Sequence, residues 1–156
     1  MAPSTSAGCT DSAIAVAPLR PADRAEWEAL ARGYKAFYRD PIPDRDYERT
    51  WRRLIADDEV HGLGASLDGA LAGFAHHLFH PHSWRGPSCY LQDLYTAEGM
   101  RGRGVATALV AAVAEAARAG GAEKLYWLTK QDNDRARALY DRIARFNGFL
   151  KYDYPL

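Results

Sequence analysis

Residues 100–109 read MRGRGVATAL, two arginines and two glycines directly ahead of a small, apolar, helix-like run. Such a stretch can hold a nucleic acid, cap an ordinary helix, or cradle the phosphates of a small cofactor. The third reading has a physical basis: the first N–H groups of a helix lack partners and its dipole favours negative charge there. Glycine at 102 and 104 lets a phosphate reach the backbone with no Cβ in the way, and Arg101 and Arg103 can add charge-assisted contacts. The stretch contains neither G-x-x-x-x-G-K-[ST] nor a G-x-G-x-x-G after a strand, so the two common nucleotide loops are excluded. On spacing alone, a basic loop before an ordinary helix remains equally open.

The rest of the chain narrows the choice. Twenty basic residues balance twenty acidic ones, so no overall basic field draws in nucleic acid. The 156 residues suit one domain with its own core. Cys9 and Cys89 are the only cysteines, which indicates neither a disulfide framework nor a paired-cysteine metal site and fits a reducing, cytoplasmic setting. Residues 1–12, MAPSTSAGCTDS, lack the positive start and apolar run of a signal peptide and read as a flexible tail before a domain spanning 13–156. No apolar run approaches the roughly 20 residues of a membrane span, so no membrane is expected as a partner.

AIAVAPL (13–19) reads as a strand, and Pro21 with Asp23 opens a helix with Trp27, Leu30, Tyr34 and Phe37 at helical spacing. Prolines 41 and 43 end it, and a second helix runs from Asp44 to about Ala56. VHGLGASL (60–67) and ALAGFAHHLF (70–79) flank Asp68-Gly69, a strong hairpin signal. SCYLQDLYT (88–96) is strand-like. A helix follows with Val105, Leu109, Ala112, Val113 and Ala116 on one face, ended by Gly120 and Gly121. EKLYWLT (123–129) is a strand. Asp132 or Asn133 caps a last helix carrying Ala136, Leu139, Tyr140 and Ile143, stopped at Asn147-Gly148 before a closing strand, FLKYDY (149–154). The fold class is therefore α/β, a mixed sheet flanked by helices.

With the loop set between strand YLQDLYT and an amphipathic helix, the chain resembles the GNAT superfamily of acetyl-CoA-dependent N-acetyltransferases. The family's pyrophosphate loop, [RQ]-x-x-G-x-[GA], is matched by Arg101, Gly104 and Ala106, and LYWLTKQDNDRARALYDRIA (125–144) resembles its later block. Within the superfamily, HLFHPHSW, CYLQDLYT and YWLTKQDNDRARALYD resemble the spermidine/spermine-type small-amine enzymes and related yeast histone or amino-acid acetyltransferases. The resemblance implies a mostly antiparallel central sheet and acetyl-CoA as co-substrate. It implies cofactor contacts from Leu94, Tyr95 and Thr96, from the loop and helix start Arg101, Gly102, Arg103, Gly104, Val105, Ala106 and Thr107, and from Asn133 and Arg137. Asn133 as a simple helix cap is an equal alternative.

For the chemistry, the resemblance makes Tyr140 the general acid; a phenol of pKa about 10 can protonate a thiolate whose unperturbed pKa is about 8.5 when the site holds the two together. Without the family match, its place on an apolar helix face reads as a core tyrosine. Backbone N–H groups of the DLYT strand would meet the oxyanion. A glutamate of the spermidine/spermine-type enzymes is replaced here by Gln92, which cannot usefully accept a proton. Asp93, expected on the opposite face by alternation, Glu98 or a histidine could end a water chain, or the enzyme could capture an already neutral amine.

His76, His80 and His82 share strand parity, yet Pro81 interrupts the strand and no cysteine or carboxylate stands at ligand spacing, so a metal is not expected. The resemblance favours an acceptor pocket containing His76, His80 and Trp84, with Gln92 and Trp127; Tyr34 and Tyr38 could add a wall, while Phe37 reads as helix core. The function implied is acetyl transfer to a primary amine of a small molecule, such as an amino acid or polyamine. A protein-lysine acetyltransferase and a catalytically silent acyl-CoA-binding module are the alternatives. The aromatic end FLKYDYPL could pair with a neighbouring copy, giving a homodimer.

Overall fold

The computed structural model describes residues 13–156; the expected tail 1–12, with Cys9, lies outside the described residues. Strand β1 (Ala15–Pro18) leads through helices α1 (Arg24–Tyr38) and α2 (Asp44–Ala56) to the hairpin of β2 (His61–Leu67) and β3 (Ala70–His80). Its two turn residues, Asp68 and Gly69, have φ of 54° and 84°, the pair of positive angles whose twist suits a two-residue hairpin. β4 (Ser88–Thr96), α3 (Val105–Ala119), β5 (Lys124–Trp127) and α4 (Asp134–Ile143) follow. The sheet order is β1-β2-β3-β4-β5, antiparallel except for the parallel β4–β5 pair.

Strand alternation sends successive side chains to opposite faces, and two cores result. Phe74 joins Trp27, Leu30, Trp51 and Leu54 beneath α1 and α2. Its neighbour Ala75 joins Leu91, Leu109 and Val113 beneath α3. The small, apolar face foreseen for α3 thus lies flat on the sheet.

The C-terminal end differs from expectation. α4 stops at Ile143, because Ala144 turns to an extended backbone, and residues 144–156 form no helix or strand. The expected closing strand 149–154 is absent: Phe149, Tyr152 and Tyr154 are exposed. Alternating aromatic and polar residues give strand propensity, but a strand also needs an edge to pair with and a face to cover. The segment leaves the outer edge of β5 unpaired and covers no apolar face, since its aromatics stay exposed.

Candidate active site

One extra residue in β4 opens the site. His76 pairs with Asp93 and His77 with Leu91, which leaves Gln92 as the additional residue of a bulge. The bulge resets alternation, so Leu91 lies in the α3-side core whereas Asp93 hydrogen-bonds Tyr34 of α1. β5 accompanies β4 only from Ser88 to Leu91. From Gln92 to Thr96 that flank of β4 has no strand beside it, which is also why β5 ends at Trp127 rather than Thr129.

A cavity of about 510 Å³ occupies this gap, lined by Leu94, Tyr95 and Thr96, by Arg101, Gly102 and Gly104, by Val105, Ala106 and Thr107, and by Asn133 and Tyr140. Gly102 and Gly104 have φ of 76° and 86°, and a Cβ on Gly102 would meet nothing within 4 Å. Backbone angle, not crowding, calls for glycine there. Gly104 caps α3 with no side-chain hydrogen bond, and the first helical bond runs from Ala108 N–H to the Gly104 carbonyl at 3.0 Å. The N–H groups of Val105, Ala106 and Thr107 therefore lack intrahelical acceptors where they border the cavity. Thr96 adds a buried Oγ1 with no partner. Unpaired donors at a helix start, an open approach and an unsatisfied hydroxyl fit a phosphate-bearing cofactor arm.

The same cavity reaches side chains suited to acid–base work. A recess of about 30 Å³ shares Tyr34, Tyr38, Leu94 and Tyr140 with it and adds Gln92 and Trp127. The Tyr140 ring meets Trp127 edge-on at 5.2 Å. Burial, then Tyr38 nearby, push its phenol up to about 12, so at neutral pH Tyr140 holds its proton. Behind the recess, Tyr34 donates to Asp93 Oδ1 at 2.7 Å, His76 Nδ1 contacts Asp93 Oδ2 at 2.9 Å, and Trp27 Nε1 donates to His76 Nε2 at 3.0 Å. Burial raises the Asp93 carboxyl, but the His76 and Tyr34 hydrogen bonds outweigh it and hold the group below the usual carboxylate range. With both oxygens engaged, Asp93 is a poor proton acceptor.

Some expected site residues lie elsewhere. Arg103 turns away to Asp68, 3.5 Å off, and to the Met100 sulfur, and Arg137 donates to the Gln131 carbonyl. His80 uses both nitrogens, on the Pro81 carbonyl and the Tyr126 hydroxyl, while Trp84 is 89% exposed; neither lines the cavity or the recess. His76 is buried one layer behind, and Asn133 caps α4 at 3.4 Å while also bordering the cavity. Phe37, expected in the helix core, is instead half exposed and lines the cavity, with the Arg101 guanidinium 5.7 Å from its ring. Arg135, Leu139 and Arg142 also line it; their helical spacing with Tyr140 was the available signal. Among the described residues, no three or more His, Cys, Asp or Glu gather as for a metal ion, and no helix is long and apolar enough to cross a membrane.

A parallel strand pair that parts beside an uncapped helix start, with a protonated tyrosine at the gap, defines a site for acyl transfer from a phosphate-bearing donor. Residues 27–146 match the acetyltransferase (GNAT) family, and the chain belongs to that family, as an acetyl-CoA-dependent N-acetyltransferase. It is 34% identical over 136 residues to the D-amino-acid N-acetyltransferase HPA3 of Saccharomyces cerevisiae, covering 84% of each chain. It is 31% identical over 120 residues to the thialysine N-epsilon-acetyltransferase of Bos taurus, covering 77% of this chain and 71% of the other. In fold it is similar to the aminoglycoside-type protein AAC(6')-Iy in complex with a CoA bisubstrate analogue, with a TM-score of 0.83, 18% identity and coverage of 93% and 99%.

Proposed function

We propose that the enzyme acetylates a primary amine of a small molecule, an amino acid or a similar metabolite, by direct attack of the amine on the acetyl thioester. The observation that carries this reading is the recess: Tyr34, Tyr38, Gln92, Trp127 and Tyr140 form a confined, aromatic space that shares walls with the cavity at the α3 start. A recess of about 30 Å³ admits the amine end of an acceptor, with the rest of the molecule in the wider cavity it joins. Similarity to proteins named for D-amino acids and thialysine supports the same class.

In this reading the α3 start, Arg101 and Thr96 hold the pyrophosphate and pantetheine arm of acetyl-CoA. Unpaired β4 backbone donors between Gln92 and Thr96 face the thioester oxygen, where preorganised N–H groups are most effective. The attacking nitrogen forms its bond to the acetyl carbon as the carbon–sulfur bond breaks, Tyr140 gives its proton to the leaving sulfur, and the proton shed by the acylated nitrogen passes through solvent to restore the Tyr140 phenol. No side chain at the recess is a strong base, so the amine enters with its lone pair free. Incubation with acetyl-CoA and a panel of free amino acids and polyamines, read by thiol release, should reveal turnover above hydrolysis. Better turnover on a lysine peptide than on free lysine would turn the reading to protein substrates.

Residues 13–156 act as one domain in this reading. A homodimer is proposed from the exposed aromatics of 149–156 and from β5, which among the described residues pairs only with β4. Light scattering should give twice the monomer mass, and removal of 149–156 should abolish it. A cytoplasmic location accords with the buried free thiol of Cys89.

A further inference from the structure

The geometry points to Trp27, His76 and Asp93 as positioning residues that fix the direction of the Tyr34 O–H and so turn the Tyr34 oxygen lone pairs toward the acceptor amine. The inference rests on the acetyltransferase reading of the recess and adds to it the group that meets the nitrogen.

The argument starts at the buried end. An indole N–H can only donate, so with Trp27 Nε1 at 3.0 Å, His76 Nε2 must accept and the imidazole proton must sit on Nδ1. Nδ1–H then donates to Asp93 Oδ2 at 2.9 Å. A carboxylate only accepts, so the Tyr34 hydroxyl, 2.7 Å from Oδ1, has to donate inward. Its proton direction is therefore set by Asp93, which His76 Nδ1–H holds as a carboxylate, and Trp27, three hydrogen bonds away on α1, fixes which nitrogen of His76 carries that proton. Tyr34 lines both the cavity and the recess, and we assign the lone pairs left on its oxygen to a ligand nitrogen there.

The ring itself is held. Tyr38, Phe74 and Tyr95 meet it edge-on at 5.0, 6.0 and 6.1 Å. Gly33 makes room for this arrangement, since a Cβ there would come within 2.6 Å of the Tyr95 hydroxyl. As the amine attacks, its nitrogen gains positive charge and its N–H becomes a stronger donor. The Tyr34 oxygen, backed by the ionised Asp93, accepts that hydrogen bond with little reorganisation. The chain takes up no proton: burial, then Asp93, raise the Tyr34 phenol and keep it protonated.

The test compares Tyr34→Phe, Asp93→Asn and the double variant on the best amine of the panel, with kcat, KM for the amine and KM for acetyl-CoA measured for each. Tyr34→Phe should lower kcat/KM for the amine about 10- to 100-fold, as for a charge-assisted hydrogen bond, with KM for acetyl-CoA within about twofold. Asp93→Asn should do the same, and the double variant should be no more than about threefold worse than Tyr34→Phe, because Asp93 acts through Tyr34. Unchanged kcat/KM in Tyr34→Phe, or losses that multiply, would overturn the inference. A second measurement covers the case of a poorly folded Asp93 variant: nitrogen-15 NMR of wild-type His76 should show Nδ1 protonated and Nε2 bare, and Trp27→Phe should relax that preference. A wild-type Nε2–H overturns the chain of bonds whatever the turnover, whereas absence of turnover on every amine defeats the acetyltransferase reading beneath it.

Discussion

The proposed donor and acceptor sides of the gap beside β4 are built in opposite ways. The donor side is almost contiguous, Leu94 to Thr107, and works through backbone: unpaired β4 groups, two left-handed glycines and an uncapped helix start. The acceptor side draws side chains from α1, β3, β4, β5 and α4, and joins them by hydrogen bonds that span 59 and 49 residues of sequence. A backbone site tolerates change of side chain and binds any ligand with the right phosphates. A side-chain site can be retuned residue by residue, and there specificity for the amine should reside.

The largest effect expected from this division is at Tyr140, the residue proposed to protonate the donor's leaving group. Tyr140→Phe should cut kcat about 100-fold or more, the usual worth of a general acid, with acetyl-CoA affinity retained in isothermal titration. Because the phenol lies up at about 12, its acid form is full across pH 6–10. The kcat profile of the wild type should therefore show no alkaline fall from this group below about pH 10. A fall near pH 8 to 9 would assign the acid elsewhere.

The neighbours His76 and His77 face the two sides of the sheet and sharpen the contrast in stability. His76 is fully engaged, while the buried His77 Nδ1 has no partner. Burial, then the His61 ring nearby, push His77 down to about 4. An unfolded His titrates near 6.5, so between pH 6.5 and 4 the unfolded chain binds the extra proton and stability falls as pH drops. The loss is at most about 3 kcal/mol, from 1.36 kcal/mol per pKa unit. The urea midpoint of the wild type should fall relative to that of His77→Leu as pH drops through this window; parallel curves would remove His77 as the source.

The glycine loop should give a smaller and purely donor-side effect. Gly104→Ala places a Cβ at φ 86°, a left-handed strain of about 1–2 kcal/mol beside the phosphate approach. The free loop sheds that strain by leaving its binding conformation, so KM for acetyl-CoA should rise, by at most roughly 5- to 30-fold, while the amine KM stays put. A matching rise in amine KM would mean that the two sides are not separable.

This division also governs what the sequence could disclose. The donor side was legible because its parts are adjacent: strand, RGRGVA and amphipathic helix sit in one window, and the hairpin at Asp68-Gly69 and both cores followed from local period. On the acceptor side Tyr34, Tyr38, Gln92, Trp127 and Tyr140 were anticipated and do share the recess. The bulge at Gln92 was not legible, since no residue there is a turn former, and it alone moves Asp93 onto the α1 face. His80 and Trp84 were assigned to the pocket by the resemblance; His80 closes β3 against Tyr126, Trp84 stands exposed beyond the strand, and neither lines the cavity or the recess. Trp27 read as core, and it is core; its N–H matters only because of a histidine 49 residues later.

The finest test separates the two arginines of the loop. As charges Arg101 and Arg103 read alike and only Arg101 fits the loop pattern; Arg101 borders the cavity while Arg103 reaches toward Asp68 on the β2–β3 turn. Arg101→Ala should raise KM for acetyl-CoA about 3- to 10-fold, the share of one partly exposed charge-assisted contact. Arg103→Ala removes only an exposed ion pair of 3.5 Å, worth about 0–1 kcal/mol, and should change KM for acetyl-CoA less than about twofold on the same scale. Equal effects from the two would mean that the loop attracts the cofactor by net charge, and the donor side would then owe less to its backbone than the geometry of Gly102, Gly104 and the α3 start requires.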